Sequence, residues 1–302
     1  MDILVSDGIT QEGAKILTDA GHKVDKLKLT PEELLAKIGN YDCIIVRSAT
    51  KVTKEVIEAG KKLKVIGRGG VGLDNIDVPF AESKGIKVLN TPAAASVSVA
   101  ELALAHMFAV SRFLYVSSME MRQGKWPKKE YGEGIELFKK NLGVLGFGNI
   151  GKEVGRRGNA LGMHVMAYDP IVNTVDFPVE MTTKEKILTD ADFITLHLPL
   201  NKKEGPVIGK KEFDMMKQGV IIINCARGGV VDEAALLEAL NSGKVAAAGI
   251  DVFANEPPTD AQKALINHPH VSATPHIGAS TVEGQERIGA EIANRIVKAF
   301  SA

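Results

Sequence analysis

Gly146-Phe147-Gly148-Asn149-Ile150-Gly151 stands between an apolar run, Asn141-Leu142-Gly143-Val144-Leu145, and a segment over 152–161 that reads as a helix. Strand, tight turn and helix in that order are what a dinucleotide-binding unit requires. The first glycine permits the turn, the second lets backbone approach a pyrophosphate, and the third lets the helix pack on its strand. N–H groups at the helix start then hold a phosphate anion. A second strand is expected over 163–168, and Asp169 follows it, 18 residues after Gly151. A carboxylate there accepts hydrogen bonds from ribose hydroxyls and repels a 2′-phosphate, which selects NAD over NADP. The motif begins near the middle of the chain, so another unit folds ahead of it.

The chain contains its own control. Gly67-Arg68-Gly69-Gly70-Val71-Gly72 matches the same glycine spacing and also follows an apolar segment, over 63–66. The residues after it, Leu73-Asp74-Asn75-Ile76-Asp77-Val78-Pro79, are poor helix-opening sequence, because Pro79 removes a donor. The next strand candidate, over 86–89, ends in Asn90 and not in a carboxylate. Context therefore assigns the cofactor to the second match.

The 302 residues suit two domains, and 45% apolar with 25% charged residues is a globular composition. Thirty-seven basic and 37 acidic residues leave no net charge, which argues against a nucleic-acid or membrane-surface partner. Two cysteines, Cys43 and Cys225, form no disulfide framework, and no metal site is expected. Neither a signal peptide nor an apolar run long enough to span a bilayer is read, so a cytoplasmic location is expected.

Strands are expected over 3–5, 43–46, 65–66 and 88–89, with helices over 10–20, 31–38 and 54–59. One long helical stretch is expected over 98–123. After the fingerprint come strands over 165–168, 193–196, 220–224, 247–252 and 271–273. The alternation predicts an α/β fold: two Rossmann-like or flavodoxin-like parallel-sheet domains with a cleft between them. A final helix over 281–300 is expected to return to the first half. The domains are then 1–95 plus 281–302 for the substrate and 96–280 for NAD.

Three residues follow strands of the second half, where such sheets bind ligands: Arg227, Glu256 and His276. An arginine fork grips a carboxylate and polarises a neighbouring carbonyl. A histidine exchanges a hydroxyl proton near neutral pH, and a carboxylate beside it orients the ring and stabilises the imidazolium. With NAD, these parts suit oxidation of a hydroxyl group alpha to a carboxylate. Spacing alone leaves the histidine open. His22, His106, His164, His268 and His270 are weaker candidates, but His197 also ends a strand.

The runs Asn224-Cys225-Ala226-Arg227-Gly228-Gly229, Asp251-Val252-Phe253-Ala254-Asn255-Glu256-Pro257 and Pro275-His276-Ile277-Gly278-Ala279-Ser280 resemble the D-isomer-specific 2-hydroxyacid dehydrogenase family. The resemblance implies that Arg227 binds substrate, His276 is the acid/base and Glu256 supports it. It implies NAD contacts from Gly146, Gly148, Asn149, Ile150, Gly151, Asp169, Pro199, Cys225, Ala226, Asp251, Gly278 and Ala279. It also implies that Gly70, Val71 and Gly72 close on the substrate carboxylate, and that the cleft shuts to exclude water.

Within the family, Val46-Arg47-Ser48-Ala49-Thr50 and Gly69-Gly70-Val71-Gly72-Leu73-Asp74-Asn75-Ile76-Asp77 resemble the branch acting on D-3-phosphoglycerate. That implies a small phosphorylated 2-hydroxy acid as substrate, with Arg47 on the phosphate, and the first step of L-serine synthesis as the role. Lys128 stands where the family often has an arginine, so any grip from a partner subunit there is a point charge and not a fork. The chain ends at Ala302 and so resembles the short form. A homodimer through the helical stretch after Ser96 is expected. The alternatives are a glyoxylate/hydroxypyruvate or D-lactate type enzyme, or a nucleotide-sensing corepressor-like binding protein.

Overall fold

The alternating strands and helices assemble into two parallel sheets. The computed structural model describes residues 1–172, 174–201 and 203–301. The chain divides into two units, 1–96 with 279–302, and 97–278.

In the first unit, β1 (Asp2–Val5), β2 (Lys23–Lys26), β3 (Cys43–Val46), β4 (Val65–Arg68) and β5 (Lys87–Leu89) pair in the order β2-β1-β3-β4-β5. The strand order reverses at β1 and β3, so their C-terminal ends form a switch point where open α/β sheets bind ligands. Both faces of the sheet are covered. Leu4, Ile44 and Ile66 meet Leu34, Ile38 and Val56 on one side. Ile3, Val5 and Ile45 meet Ile292, Ala293 and Ile296 of the last helix, Val282–Ser301, on the other. A strand covered on both faces reads as an unbroken apolar run, as Cys43-Ile44-Ile45-Val46 does.

This unit explains the first glycine match. Gly67 lies inside β4, where a Cβ would stand 2.9 Å from Ile296 Cδ1, so its smallness serves the seating of the last helix. The reading of Pro79 needs correction. A helix does form, at Val78–Ser83, with Asp77 as its N-cap and Pro79 in the first turn. The N–H that proline lacks has no intrahelical partner there. The helix starts well after the glycines, so the turn does not lead straight into a helix as it does at Gly151.

In the second unit, β6 (Asn141–Leu145), β7 (His164–Tyr168), β8 (Glu180–Met181), β9 (Phe193–Leu196), β10 (Val220–Asn224), β11 (Val245–Ile250) and β12 (Val271–Ala273) pair in the order β12-β11-β10-β9-β6-β7-β8. The order reverses between β6 and β9, which puts the Gly146 fingerprint at the switch point. The expected stretch over 98–123 is two helices, Ser96–Ser111 and Leu114–Arg122, with axes 64° apart. Phe113, at φ 54°, makes the break. No single helix among the described residues is long and apolar enough to cross a membrane.

Candidate active site

The fingerprint loop separates the roles of its glycines. Gly146 has φ +90°, and a Cβ on it would meet the His197 carbonyl oxygen at 2.6 Å. A Cβ on Gly151 would stand 2.1 Å from the Gly146 oxygen, so helix Asn149–Ala160 rests directly on the turn. Gly148 is different. A Cβ there would meet nothing within 4 Å, and the backbone, at φ −72° and ψ −154°, is open to any residue. The fold gives no reason for that glycine, whereas a pyrophosphate lying against the backbone does. The N-cap, Gly148, has no side chain to cap the helix that starts at Asn149 and continues through Ile150, an end that suits an anion. The residues fit a dinucleotide.

Asp169 closes this loop. Its Oδ2 accepts from the Phe147 N–H at 2.8 Å, and Oδ1 from Ile171 and Val172 at 2.9 and 3.0 Å. Burial raises its pKa, but these N–H groups and nearby Lys152 outweigh it and hold the carboxyl below its ordinary range. Asp169 is thus a fixed anion at the end of β7. Pro199 is exposed in the loop after β9.

The second cluster is built by the turns after β10, β11 and β12. Asn224 shapes the first turn: its Oδ1 accepts from Ala226 N at 3.1 Å, and its Nδ2 donates to the Arg227 carbonyl at 3.1 Å. Cys225 and Ala226 are buried beneath. A Cβ on Gly228 would lie 1.8 Å from the Phe253 oxygen, so only glycine lets this turn meet the segment carrying Glu256. The Arg227 charge is felt by both Glu256 and His276.

His276 Nδ1 stands 2.6 Å from Glu256 Oε2. An ionised carboxylate only accepts, so Nδ1 carries the proton and Nε2 is the nitrogen left to exchange one. The hydrogen bond to Glu256 is the largest influence on the imidazole and raises its pKa, against the opposing effects of burial and Arg227. Burial raises Glu256 in turn, yet the bond from His276, the Phe253 N–H and Arg227 together hold it low. Both side chains line a recess of about 460 Å³ with Phe253, Pro258, Ile266 and Pro275. His276 adopts φ 53°, a left-handed conformation uncommon for a residue with a side chain. Buried Asp251 holds that loop, accepting from Ile277 N on Oδ1 and from Gly278 N on Oδ2, both at 2.8 Å. Ala279 follows, its carbonyl accepting from Gln285 Nε2 at 2.6 Å.

His197, the rival, is turned inward. Its Nε2 pairs with Thr195 Oγ1 at 2.8 Å, its Nδ1 is buried without a partner, and burial pushes its pKa down to about 3. It stays neutral across the working pH range. His164 pairs with Glu180, and the His268 and His270 rings face one another.

In the first unit, Arg47 stands at the end of β3, its N–H donating to Asp7 Oδ2 at 2.7 Å. No carboxylate among the described residues lies within salt-bridge distance of its guanidinium. The side chain lines a cavity of about 310 Å³ at the β1 and β3 switch point, with Gly8, Thr10, Gly69 and Gln285. Gly70, at φ +145°, lies under the Arg68 side chain and starts the segment through Val71 and Gly72, whose Val71 carbonyl accepts from Asn90.

A family model, "D-isomer specific 2-hydroxyacid dehydrogenase, NAD binding domain", matches residues 104–278. A hydroxypyruvate reductase of Thermotoga maritima is 48% identical over 97% of this chain and 96% of its own length. A D-3-phosphoglycerate dehydrogenase of Methanocaldococcus jannaschii is 46% identical over 98% of this chain, which spans only 57% of that protein. Among solved structures, a glyoxylate reductase from Paecilomyes thermophila superposes with a TM-score of 0.88 at 32% identity, covering 99% of this chain and 95% of that one.

Proposed function

Because this chain belongs to the D-isomer-specific 2-hydroxyacid dehydrogenase family and carries its NAD-binding domain, we propose that it oxidises D-3-phosphoglycerate to 3-phosphohydroxypyruvate. The observation that carries the choice of substrate is Arg47: a partly buried arginine, without a carboxylate partner among the described residues, lining the cavity at a switch point. An arginine so placed suits a phosphate, whose oxygens accept its fork.

NAD, when bound, supplies the acceptor for the hydride that leaves C2. Backbone at Gly146, Gly148, Asn149, Ile150 and Gly151 would hold the pyrophosphate, and Asp169 the ribose. Pro199, Cys225, Ala226, Asp251, Gly278 and Ala279 would line the remainder of the cofactor. Arg227 grips the substrate carboxylate and faces the negative charge that develops on the C2 oxygen. Gly70, Val71 and Gly72 offer backbone to the same carboxylate. His276 Nε2 takes the hydroxyl proton, and Glu256 stabilises the imidazolium that results. In reduction of a 2-oxo acid the same nitrogen returns the proton.

The second reading is hydroxypyruvate reduction, favoured by the Thermotoga relative, whose match covers 97% of this chain and 96% of its own. Replacing Arg47 by alanine separates the two. The expected result is a loss of about 100-fold in kcat/KM for D-3-phosphoglycerate, as for an interaction of 2–3 kcal/mol with a charged group, with hydroxypyruvate reduction kept. Equal losses on both substrates would remove the phosphate role. Absence of turnover with any 2-hydroxy or 2-oxo acid would favour a binding protein.

A homodimer accompanies this reading. The segment over 113–138 exposes Leu114, Met119, Trp126 and Phe138, with Trp126 76% exposed, a run that suits burial against a second copy. Cys43 and Cys225, both buried free thiols, are in keeping with a cytoplasmic location.

A further inference from the structure

We propose that His106 is a positioning residue for His276, acting through Thr274 and Asp251 to hold the loop that presents the imidazole. It rests on the reading of His276 as the proton carrier.

His106 lies on helix Ser96–Ser111, 2% exposed. Its Nδ1 stands 3.0 Å from Ser272 Oγ and its Nε2 3.1 Å from Thr274 Oγ1, on and just beyond β12. The Thr274 hydroxyl lies 2.6 Å from Asp251 Oδ1 and donates to it. A hydroxyl has one proton, and an ionised carboxylate has none to give. Thr274 must therefore accept from His106, which places the His106 proton on Nε2 and leaves Nδ1 to accept from Ser272. The direction of the whole chain is thereby set: His106 to Thr274 to Asp251, which also receives the N–H groups of Ile277 and Gly278.

Those two amides flank His276 on its C-terminal side, and His276 N donates to the Asp251 carbonyl at 2.8 Å. The left-handed backbone of His276 is costly by itself, and this network is what over-determines it. Room for the ring is built into the sheet. A Cβ on Gly249 of β11 would lie 2.5 Å from His106 Cβ, so the strand gives up a side chain where the histidine packs. Burial lowers the His106 pKa against an upward pull from Asp251, in keeping with a neutral ring. Among the described residues, the charged groups acting on His276 are Glu256, Asp251 and Arg227, and on His106 Asp251.

The test pairs His106→Leu, which removes both hydrogen bonds, with His106→Gln, which keeps a donor toward Thr274. His106→Leu is expected to lower kcat about tenfold, the worth of one neutral hydrogen bond. His106→Gln should stay within about threefold of the parent. Histidine-selective ¹⁵N NMR, which needs no turnover, should show His106 as the Nε2–H tautomer. The His276 titration should move to lower pH in His106→Leu, because a loosened loop weakens its bond to Glu256. An Nδ1–H tautomer, an unmoved His276 titration, or equal losses in the two variants would each overturn the proposal. Absence of turnover with every 2-hydroxy acid, with the NMR result as expected, would instead overturn the function and leave the positioning intact.

Discussion

Gly148 and Gly151 stand three residues apart in one motif, and the structure predicts opposite consequences for changing them to alanine. At Gly148 the new methyl meets nothing within 4 Å, and the backbone dihedrals suit alanine. Gly148 is an N-cap, where alanine is worse than glycine by about 0.5 kcal/mol. The loss of unfolded-state freedom returns about 0.4–1 kcal/mol. The two nearly cancel, so Gly148→Ala should unfold in urea within about 0.5 kcal/mol of the parent. Its effect belongs to the cofactor. A methyl at the approach of the pyrophosphate lengthens at least one charge-assisted N–H bond, worth about 1.5–3 kcal/mol. NADH affinity, read by fluorescence titration, should fall about 10- to 100-fold. At Gly151 the methyl falls 2.1 Å from a backbone oxygen, which no rotamer change relieves. Gly151→Ala should lose about 2–3 kcal/mol of stability, the upper range for overpacking. If Gly148→Ala unfolds as readily as Gly151→Ala, or binds NADH as the parent does, the division of roles within the loop is wrong.

Three further outcomes follow. Glu256→Gln removes the carboxylate that raises the His276 pKa, so the acidic limb of hydroxy acid oxidation, which needs neutral imidazole, should move to lower pH as kcat falls; an unmoved kcat/KM profile would separate the pair. Burial lowers the folded pKa of His197 to about 3, so below its unfolded pKa the unfolded chain binds the extra proton and stability falls as pH falls, by up to about 1.4 kcal/mol per unit. His197→Phe should flatten urea-unfolding stability between about pH 6 and pH 4, and an unchanged slope would show that the ring already titrates in the folded protein. Gly67→Ala, which presses on Ile296, should lower stability by about 1 kcal/mol and leave NADH affinity alone; weakened NADH binding would return the first glycine loop to the cofactor.

Much of the fold is legible because central parallel strands are covered on both faces. Val220-Ile221-Ile222-Ile223 and Cys43-Ile44-Ile45-Val46 announce themselves as unbroken apolar runs. Two of the four edge strands do not. Lys23-Val24-Asp25-Lys26 and Glu180-Met181 lie at the margins of their sheets, carry charge and leave no such signal. The break at Phe113 is equally silent, since a left-handed phenylalanine is set by its surroundings and not by its own preference.

The same division runs through the candidate site. By itself the sequence determined the dinucleotide unit, because glycine spacing, the flanking strand and Asp169 are local features that one stretch of chain must satisfy. It also placed Arg227, Glu256 and His276 after strands of one sheet. Spacing left both His276 and His197 open, and the family resemblance alone pointed to His276, because a histidine's role depends on what surrounds the ring. Only the tertiary structure decided those surroundings. It put His197 against Thr195 with its Nδ1 buried, and His276 against Glu256. It also joined His106 to Ser272 and Thr274, 166 and 168 positions away. Such contacts come from packing elements remote in the chain, and it is packing, through burial and hydrogen bonding, that sets where a proton resides.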